Sequence, residues 1–90
     1  MTLIERAARA MYDTVQPEWE WDDPDAGPLR KMYRDTARAA IRALQEPSEA
    51  MIDAGADVVR SVNKAESDIA VRDDTKSIWT MMIGAALEEE

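Results

Sequence analysis

The chain contains neither cysteine nor histidine. Without cysteine there is no disulfide framework, zinc–thiolate site or thiol nucleophile, and nothing argues for an oxidising compartment. Without histidine the commonest general base and metal ligand are missing, which leaves carboxylates, lysine, tyrosine and hydroxyls for any chemistry. No paired acid and base and no phosphate-binding glycine loop can be picked out among them, so an enzyme is not expected. Phenylalanine is absent too. Bulky burial must then come from three Trp, two Tyr, six Met and the scattered Ile, Leu and Val. No run nears the roughly 18 to 20 apolar residues that span a bilayer, and MTLIERAARAMY carries charges where a secretion signal would be apolar. We expect a cytoplasmic protein with no membrane partner, cofactor or metal.

What is present is a 90-residue chain, 46% hydrophobic and 33% charged, with a net charge of -8. That length makes a single helical domain, residues 1–90, whose core is modest and open to completion by self-association. The clearest segment is PLRKMYRDTARAAIRAL, residues 28–44. At about 100° per residue, Leu29, Met32, Tyr33, Thr36, Ala37, Ala40, Ile41 and Leu44 share one face, the pattern of a core-facing helix. Ile41 and Leu44 are expected to anchor that core. The opposite flank carries Arg30, Arg34, Arg38 and Arg42; with Lys31 and the lone Asp35 they give the segment a net +4 inside an acidic chain.

Three further helices are expected. Thr2 and Glu5 match the capping box, so a first helix starts at Leu3, turns Ile4, Ala7, Ala8, Met11 and Val15 inward, and ends near Val15 ahead of Pro17. Pro47 and Ser48 open a third helix, in which Gly55 is suited to close approach by a neighbour and Asn63 to a left-handed stop. Residues 64–74 read as a loop pinned by Ile69 and Val71, with Asp73 or Asp74 capping a last helix. That helix puts Ile78, Trp79, Met82, Ala85 and Ala86 on its inner face, and its three terminal glutamates sit at the negative end of its dipole, where it should fray. The fold class is all-α: a small antiparallel bundle of about four helices, near 3–15, 28–45, 48–62 and 74–88.

Two surfaces stand out as candidate sites. In residues 16–27, Trp19 and Trp21 alternate with Glu18, Glu20 and Asp22, and Asp23 and Asp25 follow. An extended backbone would put both indoles on one side and the acids on the other. Either both rings close the core, or at least one is an exposed anchor for a protein partner. The acids could imitate a phosphate backbone; they lack the spacing of a calcium loop. The second surface is the strip Ser77, Thr80, Met81 and Gly84. It is uncharged, and either a second copy covers it to form a dimer, with Gly84 as the contact point, or residues 64–73 do. Direct nucleic-acid binding by the arginine ridge is disfavoured, because net charges of -5 before it and -7 after it surround the ridge. The arginines are expected to pair instead with Glu18, Glu20, Asp22, Asp23, Asp25 or acids of the third helix.

YRDTARAAIRAL at 33–44, PSEAMIDAG at 47–55 and IWTMMIGAAL at 78–87, preceded by Trp21-Asp22-Asp23, resemble a group of small, uncharacterised proteins encoded by bacteriophages and prophages. The resemblance covers about half of the chain and carries no assigned activity. It implies an accessory protein acting inside a bacterium. Together with the acidity, it leaves two expectations. One is a protein that binds a partner, as an inhibitor or nucleic-acid mimic directed at a host defence or nucleic-acid-handling protein. The other is a structural component working through self-association.

Overall fold

Side-chain caps start three of the four helices. Thr2 Oγ1 accepts the Glu5 N–H at 3.0 Å, Ser48 Oγ that of Met51 at 3.2 Å, and Ser67 Oγ that of Ala70 at 3.2 Å; each satisfies a donor that a helix start leaves free. The structure, a computed structural model, describes residues 1–15 and 17–89. Gln16 and Glu90, within the expected acidic loop and glutamate tail, lie outside the described residues. The helices are α1 (Leu3–Thr14), α2 (Gly27–Ala43), α3 (Glu49–Val62) and α4 (Asp68–Glu88). A 3-10 turn over Pro24–Ala26, capped by Asp23, leads into α2. The chain is a small all-α helical bundle with no strand among the described residues.

α1 and α2 pack as a pair around Ile4, Ala8, Tyr12, Trp21, Ala37 and Ile41, and Ile83 of α4 completes this core. Among the described elements α3 packs only on α4. Their seam holds Ile52, Ala56, Val71 and Thr75, all buried. Gly55 allows the approach: a Cβ built there would lie 2.5 Å from Thr75 Cγ2. α4, about 31 Å long at 1.5 Å per residue, is therefore a spine, with its first half against α3 and its second half against α1 and α2. The molecule is accordingly drawn out to 57 × 23 × 18 Å.

Several sequence expectations are corrected. α4 begins at Asp68, capped by Ser67, so residues 68–74 are helix and neither Asp73 nor Asp74 is the cap. Val71 is a core residue, whereas Ile69 faces solvent. The inner face of α4 changes along its length, from Val71 and Thr75 to Trp79, Ile83 and Leu87. Ile78, Met82 and Ala85 are left exposed. Leu44 is 51% exposed and does not anchor the core. The face of α2 is rotated toward its arginines, which leaves Met32, Thr36 and Ala40 outside. In α1, Tyr12 is buried and Val15 is exposed. Asn63 ends α3 with φ -134°, outside the left-handed region, and donates its N–H to Val59 O at 2.9 Å. At the end of α4, Glu89 accepts the Leu3 N–H at 3.4 Å, which places a carboxylate at the positive end of the α1 dipole.

α4 also finishes α2. Trp79 Nε1 donates to Leu44 O at 2.6 Å and Thr80 Oγ1 to Gln45 O at 3.3 Å, which supplies partners for carbonyls that a helix end leaves without one.

Candidate functional site

The loop after α1 is fixed from beneath. Tyr12 Oη donates to Trp19 O, and Arg30 Nη1 donates to Trp21 O at 2.6 Å and Asp23 O at 2.7 Å. Trp21 is buried, its ring edge-on to Tyr12 with centroids 5.4 Å apart. Its indole N–H donates to Glu5 Oε1 at 3.1 Å, and the Arg34 guanidinium lies 5.6 Å from its ring centroid. The two tryptophans thus part company. Trp21 closes the core; Trp19 is 49% exposed beside a shallow cleft lined by Val15, Pro17, Glu18 and Leu29.

Arg30, Arg34 and Arg38 of the ridge are engaged within the fold, although not with the acids expected, and Arg42 is exposed. Arg34 grips Glu5 with two bonds, Nε to Oε2 at 2.6 Å and Nη2 to Oε1 at 3.0 Å. Glu5 is consequently held below the usual carboxylate range, chiefly by that bond and against the opposing effect of burial. It does not reach back to complete the capping box. Arg30 serves the loop through backbone carbonyls, and Arg38 pairs with Asp35 at 3.1 Å. The acids of α3 are used by α4 instead: Arg72 binds Glu49 at 2.6 Å and also Asp53, and Asp68 binds Arg60. Glu18, Glu20, Asp22 and Asp25 have no ion pair among the described residues and point into solvent; Asp23 Oδ1 is occupied by the Asp25 N–H at 2.8 Å. Among the described residues no three acidic groups come together to hold a metal ion, and no helix is long and apolar enough to cross a membrane.

The strip on α4 is divided. Thr80 and Gly84 lie against the turn after α2: Thr80 bonds Gln45 O, and a Cβ on Gly84 would meet Gln45 Nε2 at 3.6 Å. Ser77 and Met81 face outward. Residues 68–73 do not cover the strip, because they are the first turns of the same helix.

A further concavity lies one flank away, in the cleft between α3 and α4. It is an apolar groove of about 170 Å³, floored by Gly55 and Thr75 and walled by Met51, Ile78, Trp79 and Met82. Its walls are open to solvent, Ile78 at 52% and Met82 at 61%. Sequence reading placed Ile78 and Met82 inside the bundle. The available signal was the run Val71, Thr75, Ile78, Met82, at steps of four, three and four, which continues past the end of α3's cover. Along α3, Met51, Val58 and Val62 extend the same open surface at steps of seven and four. The charges of α3 that pair with neighbours, Glu49, Asp53, Asp57 and Arg60, fall on the other flank.

The titratable groups whose pKa departs downward, Glu5 and Asp35, are bound in ion pairs to Arg34 and Lys31, and no buried side-chain polar atom among the described residues lacks a hydrogen-bond partner. What this geometry offers is surface: an apolar groove on the α3–α4 arm, and a braced acidic loop bearing Trp19. No protein-family model, curated protein or solved structure matches the chain.

Proposed function

We propose that the protein is a non-catalytic binding protein, of the kind implied by its resemblance to small phage-encoded accessory proteins, and that its working surface is the open apolar face of the α3–α4 arm. The observation that carries this reading is the groove with its exposed walls. Ile78, Met82 and Met51 belong to residue types normally buried, they wall a cleft that no other described part of the chain fills, and soluble monomers rarely leave such patches uncovered without a use. Methionines suit the role, since their flexible, polarisable side chains adapt to a partner's shape. Binding of this kind depends on desolvated apolar area, so it should persist at high salt.

A second reading is favoured by the loop. Trp19 and the unpaired Glu18, Glu20, Asp22 and Asp25 are presented on a backbone braced by Tyr12 and Arg30; such a surface suits a basic groove on a bacterial protein that handles nucleic acid. Charge of this density speeds association and is screened by salt.

Retention on immobilised protein separates the two. Wild type, Met51→Glu/Met82→Glu and Glu18→Gln/Glu20→Gln/Asp22→Asn are each challenged with a bacterial lysate and with the free chain itself, at low and at high salt. The first reading predicts retention that survives high salt and is lost from the methionine variant. Wild-type retention that disappears at high salt and that, at low salt, is lost from the acidic-loop variant but not from the methionine variant would replace the first reading with the second.

A further inference from the structure

We infer that the occupant of the α3–α4 groove is a second copy of this chain, bound about a two-fold axis so that two α3–α4 arms form one four-helix bundle; this rests on the reading of that face as the working surface and names its partner. The first argument is area. The chain exposes 6348 Å², against about 5,300 Å² for a compact monomer of its mass. Its radius of gyration is 17.4 Å, where a compact 90-residue domain would have about 12 Å. The excess of about 1,000 Å² is of the size that each partner buries in a standard stable interface, about 800 Å². The surplus arises where α3 touches only α4, in an arm that lacks the second layer which elsewhere closes the bundle.

The second argument is shape. A two-helix layer with apolar stripes on both helices needs another two-helix layer to cover it, and an identical layer turned by a two-fold axis is self-complementary. Gly55 and Thr75 keep the floor of the groove low between α3 and α4, so that Met82 of one copy can enter the cleft of the other while its own cleft receives the same side chain in return.

The third argument is charge. A chain of net -8 meets its own copy against repulsion, so the contact must lie where the surface is neutral. The eight residues lining the groove include no charged side chain, whereas the ion pairs of Arg72 with Glu49 and Asp53 lie on the opposite flank of the arm. A partner selected by charge would be drawn to the acidic loop instead.

Sedimentation equilibrium of wild type, Met82→Glu and Met51→Glu tests this, with far-UV circular dichroism to establish that each variant is folded. The chain's lack of cysteine allows a second, position-specific readout: Met82→Cys should cross-link to itself under mild oxidation and Glu18→Cys should not. The expected result at tens of micromolar is a species of twice the 10.1 kDa chain mass, reduced to a monomer by either glutamate with helicity retained. A monomeric wild type overturns the inference. So does a dimer that persists in both folded glutamate variants, or one that cross-links at residue 18 and not at 82. Where a glutamate variant fails to fold, the cysteine pair decides alone. Failure here leaves a separate mark on the broader reading. A monomeric wild type that still retains a lysate protein through Met82 rejects the second copy but keeps the surface, whereas one that retains nothing rejects both.

Discussion

Gly55→Ala should destabilise the protein even though alanine is the better helix former. In a helix interior the exchange favours alanine by about 1 kcal/mol. Here the new methyl would sit 2.5 Å from Thr75 Cγ2, about 1 Å or more inside the ordinary carbon–carbon separation of about 3.5 to 4.0 Å. Thr75 cannot simply turn away. It is buried and β-branched, and its hydroxyl donates to Val71 O at 2.8 Å, so rotation would sacrifice that bond. Overpacking of this kind costs about 1 to 3 kcal/mol, which leaves a net loss of about 1 kcal/mol. Thr75→Ser removes the offending methyl and keeps the hydroxyl; in that background Gly55→Ala should stabilise by up to about 1 kcal/mol, a reversal of sign. Urea melts followed by circular dichroism, at one fixed chain concentration because association would shift the midpoint, measure all four corners of the cycle. Equal stabilisation by alanine in both backgrounds would refute the close α3–α4 crossing.

Other outcomes follow from the same structure. Ile41→Ala, in the shared core, should cost about 2 to 5 kcal/mol, whereas Leu44→Ala, half exposed, should cost less than about 1.5 kcal/mol in the same melts; equal costs would mean that the seam of α2 is misplaced. Arg34 lowers the pKa of Glu5, so its contribution is present above the ordinary carboxylate range and is lost as pH falls through that range to the lowered value. The urea midpoint should therefore drop less steeply with acid in Glu5→Gln than in wild type. Burial pushes the Tyr12 phenol up, so stability should fall as pH rises beyond about 10, and Tyr12→Phe should lessen that fall.

The helix starts were legible where a cap or a proline stands at the right distance from a periodic run, as at Thr2, Pro28 and Ser48. Ser67 gives no such signal because the turns after it, Asp68 to Asp74, carry four charges around the cylinder, and periodicity does not reveal that Val71 is buried against α3 while Asp68 and Arg72 pair with its charges. α4 was misread for a related reason: a helix that serves two neighbours in succession turns a different face to each, and summing along it erases the stripe. The interior use of the arginine ridge follows from reach. Arg34 meets Glu5 across the α1–α2 seam, a pairing 29 residues apart that no local spacing announces. The loop's tryptophans are separated only by tertiary contacts, because Tyr12 and Glu5 hold Trp21 while Trp19 is left half exposed. The apolar groove was hidden for the opposite reason. Its residues look like core in sequence, and only the missing layer over the arm leaves them in solvent.

The central claim, that the open face of the α3–α4 arm receives a second copy of this chain, is tested most directly by the methyl resonances of its methionines in a dilution series from hundreds of micromolar to a few micromolar. Met51 and Met82 wall the groove, whereas Met32, whose exposure of 50% lies between theirs, sits on the unrelated surface of α2. The account predicts that Met51 and Met82 shift with concentration and that Met32 stays still. Stationary Met51 and Met82 signals, or a shift confined to Met32, would contradict it.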